Sequence, residues 1–168
     1  MMKINVSEIA EITGRELPFA FTAKPEDIGP LLDGCTLEGP IMVKGTAVNT
    51  GSCFRLEGEI SCTAVCICDR CLRDYRTAGN YSFTEEFTHD ESAARQHDMN
   101  YFSGDIIDIG DLVRDIIISS QPTKHLCKDD CKGLCSVCGA DLNEGECGCS
   151  RTAVDPRLAA LQSLLRKK

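Results

Sequence analysis

The chain has 168 residues, a net charge of −8 and twelve cysteines. That length suits one ordinary domain with a small appendage, and the acidic balance excludes the basic excess with which a sequence-blind nucleic-acid binder grips phosphates. Residues 1–11 carry no apolar signal-like stretch, so the expected location is the cytoplasm, or an organelle reached by a leader outside this sequence, where cysteines point to metal rather than disulfides.

In chain order, residues 1–30 are mixed and acidic, with Phe19 and Phe21 alternating as in a strand. Residues 41–48 are β-prone, and Asn49-Thr50-Gly51-Ser52 reads as a hairpin turn. Next comes the clearest periodicity. Phe54, Leu56, Ile60, Cys62, Ala64, Cys66 and Cys68 fall on even positions, while Arg55, Glu57, Glu59, Ser61 and Thr63 fall on odd ones. Period two predicts a half-buried antiparallel strand. It is long for one strand, so Gly58 is expected to mark a bulge or bend. Residues 81–88 predict another strand, carrying Tyr81, Phe83 and Phe87. Residues 88–100 are polar, without a period, and predict a mobile loop.

Residues 106–109 lead into a predicted helix over 109–120. Asp108 is expected to cap it and Asp111 to sit in its first turn. Ile109, Leu112, Val113, Ile116 and Ile117 form its apolar stripe, and Pro122 ends it. The longest strongly apolar uncharged run, residues 116–121, is far too short to span a bilayer. At the far end, Asp155 as N-cap and Pro156 at the first helical position start a closing helix with Leu158, Leu161 and Leu165 on one face. Arg166, Lys167 and Lys168 suit its negative end.

Between the helices lies the cysteine spacing Cys127-x3-Cys131-x3-Cys135-x2-Cys138-x8-Cys147-x-Cys149. Zinc takes four thiolates in a tetrahedron, about 2.3 Å from each sulfur. A C-x2-C pair followed by glycine aims two sulfurs at one point, as Cys135-Ser136-Val137-Cys138-Gly139 can. Cys147 and Cys149 supply a second pair, giving an all-cysteine site of Cys135, Cys138, Cys147 and Cys149. A rival pattern, Cys131-x3-Cys135-x2-Cys138, matches the iron–sulfur run of radical enzymes, but too little chain follows it to build their barrel. Cys68-Asp69-Arg70-Cys71 breaks the strand alternation with knuckle spacing and needs two more ligands. Cys127 and Cys131 are left over, so Cys68, Cys71, Cys127 and Cys131 form a candidate second site clipping the body to the tail. Cys62 and Cys66 read as buried core thiols. Cys35 and Cys53 have no nearby partner in sequence and default to structural thiols.

One zinc is therefore expected, and a second if the clip forms. Structural zinc contributes about 10–16 kcal/mol of apparent binding energy, against about 5–15 kcal/mol for a whole domain. Residues 127–149 hold few large apolar residues besides Leu134, Val137 and Leu142, so metal is expected to order them. Each four-thiolate zinc site adds about −2 in charge, which favours a basic protein partner over a wide RNA contact.

The expected fold is α+β: an antiparallel β-rich body with two short helices and a C-terminal cysteine-rich, zinc-ribbon-like module. The divisions are 1–122 for the body, 123–150 for the metal module and 151–168 for a helix docking back on the body.

Several motifs together resemble the YceD family of large ribosomal RNA subunit accumulation proteins. They are Cys68-Asp69-Arg70-Cys71-Leu72, the acidic-apolar segment 105–118, the run from Leu126-Cys127-Lys128-Asp129-Asp130-Cys131 through Cys135-Ser136-Val137-Cys138-Gly139 to Asn143, and Asp155-Pro156-Arg157-Leu158-Ala159. Ser136, where proline is common, and Ser119-Ser120-Gln121-Pro122, where Leu-Pro is common, depart from the pattern without removing a ligand. The resemblance implies a β-rich body, a role in 23S rRNA accumulation and large-subunit assembly, and no catalytic residues.

The expected function is a non-catalytic factor binding a ribosomal protein, rRNA or a large-subunit precursor, with no membrane and no small-molecule substrate. Lys128, Lys132 and Arg157 are the candidate contacts to RNA or a partner, weighed against a solvated face. The alternatives are a zinc-dependent or redox-sensing RNA-associated protein, or a zinc hydrolase or nuclease. A catalytic zinc keeps a position open for water and usually takes His or carboxylate ligands. His89 and His97 lie in the polar stretch and His125 beside Cys127, and the favoured ligand sets contain none of them.

Overall fold

The computed structural model describes residues 2–31 and 34–150; the predicted closing helix, with Asp155 and Arg157, lies outside them. The elements run β1 (Lys3–Asn5), α1 (Ser7–Ala10), β2 (Glu16–Ala23), α2 (Pro25–Ile28), β3 (Cys35–Asn49), β4 (Phe54–Ile67), β5 (Asp74–Thr88), α3 (Glu91–His97), β6 (Asn100–Tyr101), β7 (Ile106–Asp108) and α4 (Gly110–Ser119). The fold is mixed α+β, sheet-rich with few short helices.

Five strands form one sheet in the order β2-β3-β4-β5-β6, and β1 pairs with β7 in a small antiparallel ribbon. The three long strands β3, β4 and β5 form an antiparallel meander. Even-numbered residues of β4 are buried from Phe54 to Cys66, apart from half-buried Gly58. They face a core containing Ile41, Val43, Leu56, Ile60, Phe83 and Phe87. Helix α4 closes the same core with fully buried Val113 and Ile117. Asp108 accepts the Gly110 N–H at its start (3.0 Å). Buried Asn49 ties the hairpin to the N-terminal turn: its amide donates to the Ile9 and Ala10 carbonyls, both at 2.8 Å, and its Oδ1 accepts the Gly51 N–H at 2.8 Å.

Three expectations need correction. Gly58 marks no bulge: β4 pairs with β5 without a shift, and the irregularity lies in β3 between Glu38 and Met42. Gly58 faces Gly45 across the pair, and aromatic rings lie over both. A Cβ on Gly45 would stand 2.6 Å from the Phe19 ring, and one on Gly58 would stand 2.8 Å from the Phe83 ring. Glycine is needed there for close approach.

Residues 88–100 are not a loop: they hold α3 and run into the first residue of β6. Asp90 caps α3 by accepting the N–H groups of Ser92 (2.8 Å) and Ala93 (3.2 Å), and Arg95 pairs with Glu91 one turn back. Ala94 alone in this helix is buried, so the sequence shows no apolar period. Two short helices are too few: the described residues already hold four, of which α1 and α2 are single turns of four residues with no room for an apolar stripe.

Candidate metal centre

Strand β4 runs out at Ile67 and delivers Cys68, fully buried, to the end of the sheet. The chain then turns tightly. The Cys68 N–H donates to the Arg73 carbonyl (2.9 Å), and the Leu72 N–H donates to the Cys68 carbonyl (2.9 Å). Leu72 takes the left-handed backbone, at φ 58°. This knuckle sets Cys71 beside Cys68 and returns the chain as β5.

The cysteine-rich segment is laced onto that knuckle. Asp69 exchanges two bonds with His125: its N–H donates to the His125 carbonyl (2.8 Å), and its Oδ2 accepts the His125 N–H (2.7 Å). Arg70 Nη1 donates to the Cys131 carbonyl (2.8 Å), and the Leu134 N–H donates to the Arg70 carbonyl (3.0 Å). Gly133, at φ 74°, passes so close that a Cβ would stand 2.8 Å from the Arg70 carbonyl oxygen.

The result is a tetrad of Cys68, Cys71, Cys127 and Cys131, whose sulfurs all lie within 4.8 Å of one another. Cys68 and Cys131 sulfurs stand 3.8 Å apart, and those of Cys71 and Cys127 stand 3.7 Å apart. A tetrahedron with bonds of about 2.3 Å has edges of about 3.8 Å, so the spacing fits one four-coordinate ion.

Cys135, Cys138, Cys147 and Cys149 form a second tetrad within the same limit. The Gly139 N–H donates to the Cys135 carbonyl and the Cys135 N–H to the Ala140 carbonyl, both at 2.8 Å, while the Val137 N–H points at the Cys135 sulfur (3.4 Å). This tetrad is more open: Cys135 is buried, Cys147 and Cys149 are half-buried and Cys138 is exposed. Cys131 and Cys135 fall in different tetrads, which removes the iron–sulfur reading of Cys131, Cys135 and Cys138.

Each tetrad has one acidified thiol; the first has two suppressed thiols, Cys71 and Cys127, and the second has one, Cys149. Burial works to raise Cys68, but the backbone N–H groups of Cys127, Cys71 and Arg70 outweigh it and bring the thiol to about 6. Its neighbour Cys127 is pushed up to about 12 by burial and by the thiols of Cys71, Cys131 and Cys68. In the other tetrad the N–H groups of Cys138 and Val137, then the Cys147 thiol, lower Cys135 to about 6. Cys149 is pushed up to about 12 by Cys138 and Cys147, then by burial. Four crowded sulfurs do not all ionise unless a cation compensates them.

The two tetrads are tied together. Asn143, between Cys138 and Cys147, points its amide at the Cys131 sulfur (3.5 Å), and its Oδ1 accepts the Lys132 N–H (2.9 Å). Arg73, just before β5, pairs with Asp141 (2.8 Å) and Glu144. Lys128 and Lys132 are exposed, and Lys128 lies 3.8 Å from Asp130. Arg157 lies outside the described residues.

A third cluster was not foreseen. Cys35, expected to be an unpartnered thiol, is disulfide-bonded to Cys66, expected to be a core thiol, with His125 beside the pair, so the expectation of metal rather than disulfides fails at these two cysteines. The two cysteines are 31 residues apart and meet only because β3 and β4 pair in register, so no spacing could reveal them. Cys62 lies in the core, as expected of a structural thiol. Cys53 is buried against the Thr50 hydroxyl (3.1 Å).

The fold and site define a small sheet protein with two cysteine tetrads, built around its β4–β5 hairpin and the segment that follows α4, that could hold metal ions. The model of the family described as large ribosomal RNA subunit accumulation protein YceD matches residues 56–165, a span that includes both tetrads, and the chain belongs to that family. It is 30% identical to an uncharacterised protein of Mycobacterium tuberculosis over 112 residues, covering 64% of this chain and 54% of the relative. It is 36% identical over 58 residues to the chloroplastic large ribosomal RNA subunit accumulation protein YCED homolog 1 of Arabidopsis thaliana, covering 34% of this chain and 18% of that one. It is 26% identical over 168 residues to YlbN of Bacillus subtilis, covering 99% and 98% of the two chains. The chain thus spans about half the length of the mycobacterial relatives. No solved structure matches it.

Proposed function

We propose that this chain is a non-catalytic factor supporting 23S rRNA accumulation and large-subunit assembly, with two structural zinc ions as its scaffold. Cys68, Cys71, Cys127 and Cys131 hold one. Cys135, Cys138, Cys147 and Cys149 hold the other in a zinc-ribbon-like knuckle within a metal module of residues 123–150, beside a body of 1–122. The observation that carries this is the closure of both tetrads: each gathers four cysteine sulfurs and, among the described residues, no other His, Cys or carboxylate ligand. Closed thiolate sites fit structural zinc, whereas a catalytic zinc keeps a position for water. The metal supplies cross-links between chain passages. Family membership supports the ribosomal role.

The chain works in the cytoplasm. Among its described residues no helix is long and apolar enough to cross a membrane. Its partner is a basic ribosomal protein or a precursor particle carrying one, because a chain at −8 becomes still more acidic with two four-thiolate zinc sites. Depletion in cells, read as mature 23S rRNA and as sedimentation of subunits, tests the proposal. Fewer large subunits and salt-sensitive co-sedimentation of the protein with their precursors are expected. Unchanged rRNA and subunits after deletion, or turnover of rRNA by the purified protein, would refute it.

A further inference from the structure

Cys35 and Cys66 are directly opposite across β3 and β4, with Cα atoms 4.1 Å apart. The neighbouring Ile67 N–H donates to the Gly34 carbonyl (2.8 Å), which makes Cys35 and Cys66 a non-hydrogen-bonded pair, the arrangement that brings side chains closest. Both are buried, at 6% and 1% exposure. The half-buried ring of His125 lies on them, with Nδ1 3.5 Å and Nε2 3.7 Å from the Cys35 sulfur. Its backbone is fixed by the two bonds to Asp69.

A disulfide gives that ring little to bond with, because its sulfurs carry no proton and accept weakly. Two thiolates give it far more. Cys35 Sγ, Cys66 Sγ and an imidazole nitrogen lie within 4.8 Å of one another, the soft mixed donor set that zinc accepts. Two thiolates also cancel the charge of a divalent ion, so filling this buried place adds no net charge, unlike the two tetrads. The wall is shared with the first tetrad: Cys66 and Cys68 project from the same side of the chain two residues apart, and Tyr75 packs against both clusters.

We propose that Cys35, Cys66 and His125 are a third, redox-gated zinc site, closed while the Cys35–Cys66 disulfide stands and opened by its reduction. A dithiol supplies two electrons and two protons and closes to its own disulfide. The Cys35–Cys66 bond breaks to two thiols, and Zn²⁺ then displaces both protons and takes His125, leaving the fourth position to water. This goes beyond the scaffold role of the two tetrads and does not depend on it.

The test uses the full chain in two forms, one with the disulfide intact and one reduced with a dithiol that is then removed by gel filtration under nitrogen. Both are saturated with Zn²⁺, freed of excess and analysed for zinc per chain and for free thiols. The reduced form is expected to hold one zinc more. The Cys35→Ser, Cys66→Ser double variant is expected to lose that difference, and His125→Asn to weaken the extra zinc at least about tenfold, as even outer-sphere losses can. Equal zinc in both forms, with Cys35 and Cys66 shown to be reduced, would overturn the proposal, as would a redox-dependent zinc that survives in the double variant. Failure of the tetrad reading has another signature, fewer than two zinc ions in the disulfide form, and leaves the difference intact. Alkylation of reduced wild-type protein, mapped by mass spectrometry, needs no variant. Zinc should shield Cys35 and Cys66, and equal labelling with and without zinc would sink the site.

Discussion

The five-stranded sheet and residues 127–149 are held by different forces. In the sheet and the elements packed against it, Leu56, Ile60, Ile107, Val113 and Ile117 are all fully buried, and burying each such side chain is worth about 1.5–3 kcal/mol. In the cysteine segment the large apolar residues are Leu134, Val137 and Leu142, and Val137 is 63% exposed. Besides Leu142, what is buried there is sulfur: Cys131 and Cys135 in the segment, Cys68 and Cys71 in the hairpin it grips. A chain without a core can hold a fixed shape if one ion fixes four side chains at once. The contrast also explains why the first tetrad straddles both regions: Cys68 and Cys71 belong to the rigid hairpin and give the segment an anchor.

The largest expected effect comes from removing the metal. Structural zinc is worth about 10–16 kcal/mol, so stripping it with a chelator under reducing conditions should bring amide exchange at residues 127–149 close to that of an unfolded chain. Protection in β3, β4 and β5 should survive. A sheet that melts along with the segment would erase the contrast, and a segment that stays protected without metal would show it to be self-supporting. Cys68→Ser with Cys71→Ser should lower the metal content by one ion per chain.

Leu56→Ala attacks the other region. It empties a fully buried place in β4 and should cost about 2–5 kcal/mol in urea unfolding, while metal per chain stays the same. Metal lost together with stability would mean that the tetrads and the core form one cooperative unit.

How much of each region was legible follows from the range of its contacts. The tetrads were readable because their knuckles are local: Cys135 and Cys138 sit three residues apart before Gly139, and Cys68 to Cys71 interrupt a strict alternation. β4 was readable because fourteen residues give a period many chances to repeat. β1 and β7, three residues each, give it none, and α3 buries only Ala94. Cys35 with Cys66 is a matter of register between strands, and register is decided by the whole sheet. The polar composition of residues 88–100 lacks a period but does not lack structure. A capped helix with one buried residue looks the same in sequence as a loop.

A smaller effect separates the two tetrads from each other. Asn143 donates toward the Cys131 sulfur (3.5 Å), whereas the second tetrad has its own donor, the Val137 N–H on Cys135. Outer-sphere partners of this kind typically govern about 10–100-fold in metal affinity. Asn143→Ala should therefore weaken zinc by that order at Cys68, Cys71, Cys127 and Cys131 and leave Cys135, Cys138, Cys147 and Cys149 close to unchanged. A competition titration with a chromogenic chelator, run on wild type and variant, reads both sites. Equal loss at both would mean that Asn143 supports the segment as a whole.

The smallest effect lies wholly in the metal-free region and has a pH signature. The Ala93 and Ser92 N–H groups hold the Asp90 carboxyl below the usual carboxylate range. A carboxyl depressed in the folded state stabilises α3 above its unfolded value, near 3.9, and that contribution fades as pH falls through the folded value. Asp90→Ala should lower the thermal midpoint by about 2–4 °C at pH 7, the scale of one lost helix cap in a chain of this size. The gap between the two proteins should narrow toward pH 3. Acid also protonates the cysteine ligands and releases metal, but it does so in both proteins, so the difference between them at each pH isolates the cap. A gap that stays constant from pH 7 to pH 3 would show that Asp90 works as a neutral acceptor, and the charge would then contribute nothing to α3.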